Sequence, residues 1–241
     1  VGATVSGTWR AFTAGPTGHW TPWKFNWLAN HKILGALERA RGFAHGRLLD
    51  VGCGSRPFAH VFAGRVSHYF GTDLSVSPYL AARPPDAFAR AEAQPVRTAS
   101  MDTVLGLSML TYLPEPRLML EEAHRVLKPG GVLLLEFTQM VPLHDAPHDY
   151  FRFTRYGAAY LLTRAGFEPL EYIPIGGLWA RVGLSAIAAL NRVNRGPTRV
   201  LTELPVRALY VVIQLACEAL DRVFFDPAEV LAHLVVARRN A

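Results

Sequence analysis

An α/β fold built on a mostly parallel sheet follows from three features of the sequence. A short apolar strand, Leu48-Leu49-Asp50-Val51, runs directly into Gly52-Cys53-Gly54, a turn whose backbone a ligand can approach without side-chain obstruction. A second strand, His68 to Asp73, ends in an acid about 20 residues after that turn, the spacing at which a nucleotide-binding βαβ unit sets a carboxylate against ribose hydroxyls. Strand and helix patterns then alternate as far as Val132–Phe137, and four successive βα units imply right-handed crossovers between parallel strands.

The chain of 241 residues suffices for one large α/β domain. Half of its residues are hydrophobic and 18% are charged, which excludes disorder as the default. The net charge of +6 is uneven: residues 1–47 carry six bases and one acid, residues 48–175 eleven and thirteen, residues 176–241 eight and five. No Lys/Arg run interleaved with stacking aromatics accompanies the basic flanks, so an anionic membrane surface is a better expectation than nucleic acid. Cys53 and Cys217 have no metal-ligand spacing and read as thiols of a reducing compartment. With no charged-then-apolar leader, the expected location is cytoplasmic, with peripheral attachment to the inner membrane surface as the variant of that reading. The longest apolar run, Ala208 to Cys217, is too short for a membrane-spanning helix, which takes about 20 residues.

In chain order, residues 1–22 are rich in Gly, Thr and Pro and read as an irregular arm. Phe25, Leu28, Ile33, Leu34 and Leu37 then recur at helical spacing across Trp23–Arg41, with Gly42 as the stop. Trp20, Trp23 and Trp27 beside Lys24 and Lys32 suit either an interfacial anchor or a helix that packs on the core or lids the site. Pro57 opens an expected helix carrying Phe58, Val61 and Phe62. Pro84, Pro85 and Pro95 bracket a short third strand, Ala87–Ala91. Met101–Ser108 is the fourth strand, and the helix after it packs through Leu120, Ala123 and Leu127 and stops at Pro129-Gly130-Gly131 before Val132–Phe137.

The turn D-x-G-C-G at Asp50–Gly54 resembles motif I of the class I S-adenosylmethionine-dependent methyltransferases. Met101-Asp102-Thr103-Val104-Leu105-Gly106-Leu107-Ser108 and Glu121-Glu122-Ala123-His124-Arg125-Val126-Leu127-Lys128-Pro129-Gly130-Gly131 resemble the family's fourth strand and the helix and turn after it. With His144, Pro147, His148, Asp149, Tyr150, Arg152 and Thr154 matching H-x-x-P-H-D-Y-F-R-F-T, the chain is similar to the type 11 methyltransferases. The resemblance covers about 46–177 and the last strand.

It implies a Rossmann-like, seven-stranded, mostly parallel sheet with helices on both faces, plus a helical insertion before the last strand. The implied organisation is an arm and lid helix at 1–45 and a methyltransferase domain at 46–241, with its insertion at about 178–226. The implied cofactor is S-adenosylmethionine, held by Asp50, Gly52, Cys53, Gly54, Asp73, Leu74, Ala91, Glu92 and Ser108, with Asp50 toward the methionine ammonium. Two departures stand out: Arg90 replaces the acid expected near adenine, leaving that contact to Ala91 or Glu92, and Thr111-Tyr112 replaces a common Glu-His. A dehydrogenase fits less well, because Ser55-Arg56-Pro57 lacks the third glycine of G-x-G-x-x-G and Asp50 would sit badly beside phosphates.

The loop Pro142–Thr154 supplies the candidate chemistry. Methyl transfer to a hydroxyl needs a base, and His144 or His148 suits that task near neutral pH, with Asp145 or Asp149 to orient it. Tyr112, Tyr150 and Arg152 are candidate acceptor contacts. In the alternative, Asp149 pairs with Arg152, Thr154 caps a helix Arg155–Ala165, and the histidines brace the loop. Pro147 argues against a metal site, and none is expected. The last strands read as Glu168–Ile173 and Leu231–Ala237, with helices at about 178–194 and 202–224 between them.

In the second of these helices Glu203, Arg207, Gln214, Glu218 and Asp221 form a polar stripe, and Leu204, Val211, Val212, Leu215 and Leu220 lie elsewhere. Packing on its own domain, a homodimer interface and peripheral membrane contact all remain open for this element. The functional expectation is methylation, at oxygen, of a small-molecule, glycan or lipid-linked acceptor; a non-catalytic cofactor-binding partner or scaffold is the alternative.

Overall fold

The computed structural model describes residues 21–80, 84–143, 145–194 and 199–240. The arm, but for its last two residues, lies outside these, as do Trp20 and His144. The described residues form two compact units, residues 36–175 with 232–240 and residues 21–35 with 176–231.

The larger unit holds a seven-stranded sheet: β1 Gly46–Val51, β2 Val66–Asp73, β3 Ala87–Phe88, β4 Met101–Gly106, β5 Leu127–Thr138, β6 Phe167–Ile175 and β7 Ala232–Arg239. Their order is β3-β2-β1-β4-β5-β7-β6, with helices on both faces and a helical insertion before the last strand. Strands β3, β2, β1, β4 and β5 run parallel, whereas β7 is antiparallel to both β5 and β6. Strand alternation sends Leu49, Val51, Val104, Leu133, Leu135 and Phe137 into one apolar core. Helix α2 (Pro116–Val126) closes that core through Met119, Leu120, Ala123 and Val126, and helix α3 (Arg155–Arg164) through Ala158 and Leu162. Leu48, Leu105, Leu134 and Val236 alternate with these along the strands and are fully buried as well, so the strands are apolar on both sides, as in other doubly covered parallel sheets.

Three local expectations change. The stretch after the glycine turn makes only one 3-10 turn, Ala59–Phe62, because Gly64 at φ +74° already leads the chain into β2. The third strand is two residues long, and Arg90 pairs with Ala93 instead of extending it. Strand β5 begins at Leu127, with Lys128-Pro129-Gly130-Gly131 inside it as an irregularity in the β4 pairing, because the extended backbone of Leu127 already ends α2. The expected cap is present: the Thr154 hydroxyl accepts from Gly157 N at 3.2 Å.

The smaller unit contains most of α1 (Trp27–Ala40), with α4 (Leu178–Val193) and α5 (Arg199–Val223). Helix α5 packs through its polar stripe. Gln214 accepts from Leu28 N at 2.9 Å and donates to the carbonyls of Pro22 and Lys24 at 2.7 and 2.9 Å. Lys32 bridges Glu218 and Asp221 at 2.8 Å each. Asp221 also accepts from Gly177 N at 3.0 Å and Ala180 N at 3.3 Å, which satisfies the start of α4.

Candidate active site

Parallel strands deliver their loops to one edge, and the loops after β1, β2, β4 and β5 carry nearly every residue singled out in the sequence. Gly52 and Gly54 adopt φ +71° and +48°, a region that L side chains avoid. A Cβ on Gly52 would collide with the Met109 sulfur, and one on Gly54 would come within 3.3 Å of Tyr79 Cβ. The Met109 and Tyr79 side chains therefore pack directly against these two glycines.

Asp73, at the end of β2, fastens the turn. One carboxylate oxygen accepts from Gly54 N at 2.6 Å and the other from Leu74 N at 2.7 Å. A carboxylate has about four acceptor positions, so hydroxyl groups of a ligand can still be bound. Leu74 is itself exposed at this edge.

Asp50 lies on the same strand face as Tyr69 and is buried, accepting from the Tyr69 hydroxyl at 2.5 Å. Burial pushes its pKa up from 3.8 to about 7, against the pull of the Tyr69 hydrogen bond and the Arg56 charge. The acid assigned to the methionine ammonium is thus shielded by tyrosine. Because the folded pKa lies above the unfolded one, the native state retains this proton between about pH 4 and 7 where the unfolded chain has lost it. Stability from this group falls as pH rises through that window and levels off above it. Relative to Asp50→Asn, the wild type is expected to lose about 2–3 kcal/mol between pH 5 and 8 in urea unfolding. Parallel curves for the two proteins would refute this.

Cys53 is buried in the turn, and burial pushes its thiol pKa up to about 11, which disfavours the nucleophilic thiolate. Arg56, in a left-handed conformation at φ +56°, pairs with Asp86 at 2.8 Å, and Asp86 also accepts from Gly71 N at 2.8 Å.

At the third loop, Ala91 is buried and Glu92 pairs with Arg90 at 3.1 Å. The loop is anchored from α2: Glu122 accepts from Gln94 N at 2.6 Å, while Arg125 bonds Glu122 and the carbonyls of Gln94 and Val96. Ser108, just past β4, has φ +57° and donates to the buried Glu136 at 2.6 Å. Non-glycine residues seldom hold this conformation, and Glu136 fixes it here. Burial raises the Glu136 pKa.

The Pro142–Thr154 loop is pinned in two places. Arg152 makes a two-pronged pair with Asp149, 2.7 Å in one arm, and donates to the carbonyls of Val141 and Pro142 at 2.9 and 3.1 Å. Asp145, at φ +54°, accepts through one oxygen from both Tyr79 and Tyr112, the latter at 3.0 Å. Burial first, then the Asp145 contacts, push the Tyr79 pKa up to about 12. His148 meets the Tyr150 hydroxyl at 3.4 Å, and its backbone N–H donates to Asp145 O at 3.1 Å.

The His148 ring meets Tyr150, while Asp149 pairs with Arg152 and Asp145 accepts from two phenols; the orienting contact expected for His144 falls on a residue outside the described ones. The Arg152–Asp149 pair ties the loop to the carbonyls of Val141 and Pro142. Tyr150 stays exposed beside His148, with its backbone N–H on Thr111 O at 2.9 Å. Two residues escaped the sequence reading. Glu136, a lone charge within an apolar strand, carried a signal; Tyr79, in a plain polar loop, carried none. Among the described residues no cluster of metal-ligating side chains occurs.

A doubly wound sheet ending in an antiparallel strand pair, with a glycine turn tied to an acid across its edge, defines the class I methyltransferase architecture. The chain carries such a domain: residues 49–135 match the family model described as a methyltransferase domain, and over that stretch the chain is similar to the class I S-adenosylmethionine-dependent methyltransferases, with S-adenosylmethionine as the cofactor that the match and the fold indicate.

A Ubiquinone biosynthesis O-methyltransferase of Pseudomonas aeruginosa (strain UCBPP-PA14) is 29% identical over 154 residues, covering 58% of this chain. The chain spans only about 59% of that relative's length. Among solved structures, the putative methyltransferase in complex with the Haloferax volcanii Trm112 activator aligns over 97% of this chain and 95% of its own, with a TM-score of 0.58 and 20% identity. The [4+2]-cyclase SpnF aligns over 87% of this chain and 82% of its own, at 0.56 and 20% identity. These two likenesses show the fold alone, and the second belongs to a protein named for other chemistry.

Proposed function

We propose that this protein transfers the methyl group of S-adenosylmethionine to a hydroxyl of a small-molecule acceptor. The observation that carries this is the glycine turn fastened by Asp73 at the rim where the loops after β2, β4 and β5 converge. The spare acceptor capacity of Asp73 beside the glycine turn suits ribose hydroxyls, so the residues present fit the cofactor. Gly52, Gly54, Asp73 and Leu74 would hold it, with Ala91, Glu92 and Ser108 at the rim. Once bound, it supplies an electrophilic methyl on a sulfonium.

The chain's own task is alignment, removal of water and acceptance of one proton as the acceptor oxygen attacks and the carbon–sulfur bond breaks. His148 is the described candidate for that proton, with Tyr150 beside it; His144 shares the loop but lies outside the described residues. Methylation at oxygen is favoured by the likeness to the Pseudomonas O-methyltransferase. That relative is also what commends a small molecule over a glycan or lipid-linked acceptor.

Calorimetry with S-adenosylhomocysteine, against NAD as control, tests the cofactor assignment; NAD binding in its place would overturn it. Labelled methyl transfer across a panel of hydroxyl acceptors tests the reaction. Cofactor binding without any product would favour the scaffold reading. Full turnover by His148→Ala and His144→Ala alike would remove the base assignment.

The Tyr79–Asp145–Tyr112 latch ties three loops over the turn. Replacing both tyrosines by phenylalanine is expected to speed release of S-adenosylhomocysteine about tenfold, the loss of two hydrogen bonds to a charged group, with unchanged circular dichroism. Stopped-flow displacement measures it, and an unchanged release rate would contradict it.

A further inference from the structure

Glu136 is an acid in an unfavourable place. It stands near the end of β5, directly after Leu133, Leu134 and Leu135 and before Phe137, and is 1% exposed. No charged group among the described residues offsets that burial. Its partner is Ser108, whose hydroxyl and backbone N–H both donate to the carboxyl group, the hydroxyl at 2.6 Å. An acid buried without a cation beside it opposes folding, and a leucine would suit the strand better. The fold thus gives up stability here for what Ser108 does.

Ser108 is a pivot. Its φ of +57° and ψ of 13° lie in the left-handed region that serine seldom enters, and they swing the chain from the end of β4 into the 3-10 turn Met109–Tyr112. Three residues of that turn each reach a different part of the rim. The Met109 sulfur packs on Gly52 of the glycine turn. The Thr111 carbonyl accepts from Tyr150 N at 2.9 Å, and the Thr111 hydroxyl bonds that of Thr138 at 2.7 Å. The Tyr112 hydroxyl donates to Asp145 at 3.0 Å. One backbone conformation therefore sets the glycine turn and the Pro142–Thr154 loop together, and Glu136 holds it.

Resting on the reading of this rim as a methyl-transfer site, we propose that Glu136 is a positioning residue: through Ser108 it fixes the Met109–Tyr112 turn, and so keeps the cofactor turn and the acceptor loop in register. Calorimetry with S-adenosylhomocysteine, thermal melting, and NMR hydrogen exchange on the ligand-free protein test this on the full chain. Glu136→Leu is expected to weaken S-adenosylhomocysteine binding about tenfold, the loss of two hydrogen bonds to an acid, without lowering the melting temperature. In the same variant the Tyr150 amide, bonded to Thr111, should exchange about tenfold faster while the β5 amides keep their protection. Glu136→Gln, whose carbonyl oxygen still accepts from Ser108, should stay within about threefold of the wild type.

Glycine enters the left-handed region unaided, so the loss caused by Glu136→Leu should shrink to about threefold or less in a Ser108→Gly background. A Glu136→Leu protein with wild-type affinity and wild-type Tyr150 exchange would overturn the proposal. So would a tenfold loss that persists undiminished beside Ser108→Gly, or a lowered melting temperature with faster exchange throughout β4 and β5, which would make Glu136 a packing residue only. Failure of the wild type to bind S-adenosylhomocysteine would instead overturn the cofactor reading, and the Tyr150 exchange rate would still decide whether Glu136 sets the turn.

Discussion

Replacing Asp73 by alanine is expected to weaken S-adenosylhomocysteine binding about a hundredfold, the largest effect of any single change at the rim. The carboxylate performs two tasks at once. It neutralises the backbone N–H groups of Gly54 and Leu74 through short bonds of 2.6 and 2.7 Å, and it offers its remaining lone pairs to a ligand. Bonds from backbone N–H groups to an ionised acid are among the stronger ones, about 1.5–3 kcal/mol each. Alanine removes both and leaves the Gly54 N–H unsatisfied at the place where the cofactor backbone surface must be held still.

Asparagine retains one acceptor oxygen, so Asp73→Asn should recover part of the affinity. Calorimetry on the two variants orders them wild type, Asn, Ala. Equal affinity in all three would mean that the turn holds its shape unaided and that Asp73 makes no contact with the ligand.

Asp221→Ala should produce the largest loss of stability, about 3–5 kcal/mol, as expected when one partner of a buried ion pair is deleted. The carboxylate is buried, receives Lys32 at 2.8 Å, and accepts from Gly177 N and Ala180 N at the start of α4. Its removal strips α4 of two N-terminal acceptors and leaves Lys32 with Glu218 alone. Urea unfolding followed at two wavelengths measures the loss. The companion change Lys32→Met in the same background should restore part of it by removing the orphaned ammonium; absence of any rescue would show that the helix start, and not the ion pair, carries the effect.

Most of the sheet was legible because its signals are local. Apolar runs bounded by glycine, proline or an acid marked β1, β2, β4 and β5, and the helix pattern of Pro116–Val126 and the cap at Thr154 were equally plain. The third strand was overestimated because two paired residues at a sheet edge leave little pattern to read.

Burial reversal in α5 was not legible at all. Helical spacing tells which residues share a side, yet not which side turns inward, and here Gln214, Glu218 and Asp221 find partners in residues 22–32 and 177–180, far away in sequence. The rim showed the same limit: acids and histidines were visible in Pro142–Thr154, but that Asp145 would be claimed by Tyr79 and Tyr112 depends on loops 33 to 66 residues away.

The position of β7 has a bearing on biosynthesis. Residues 232–239 leave the ribosome after the other six strands of this sheet, yet they occupy an interior slot, paired on one side with β5 and on the other with β6. Until they emerge, the nascent sheet has a gap where β5 and β6 each lack a neighbour, and β6 waits unattached through the translation of the 56 residues that separate Ile175 from Ala232. A stalled or clipped polypeptide ending before Ala232 would therefore present two bare hydrogen-bonding edges to other chains in the cell, a form that quality-control factors should clear quickly.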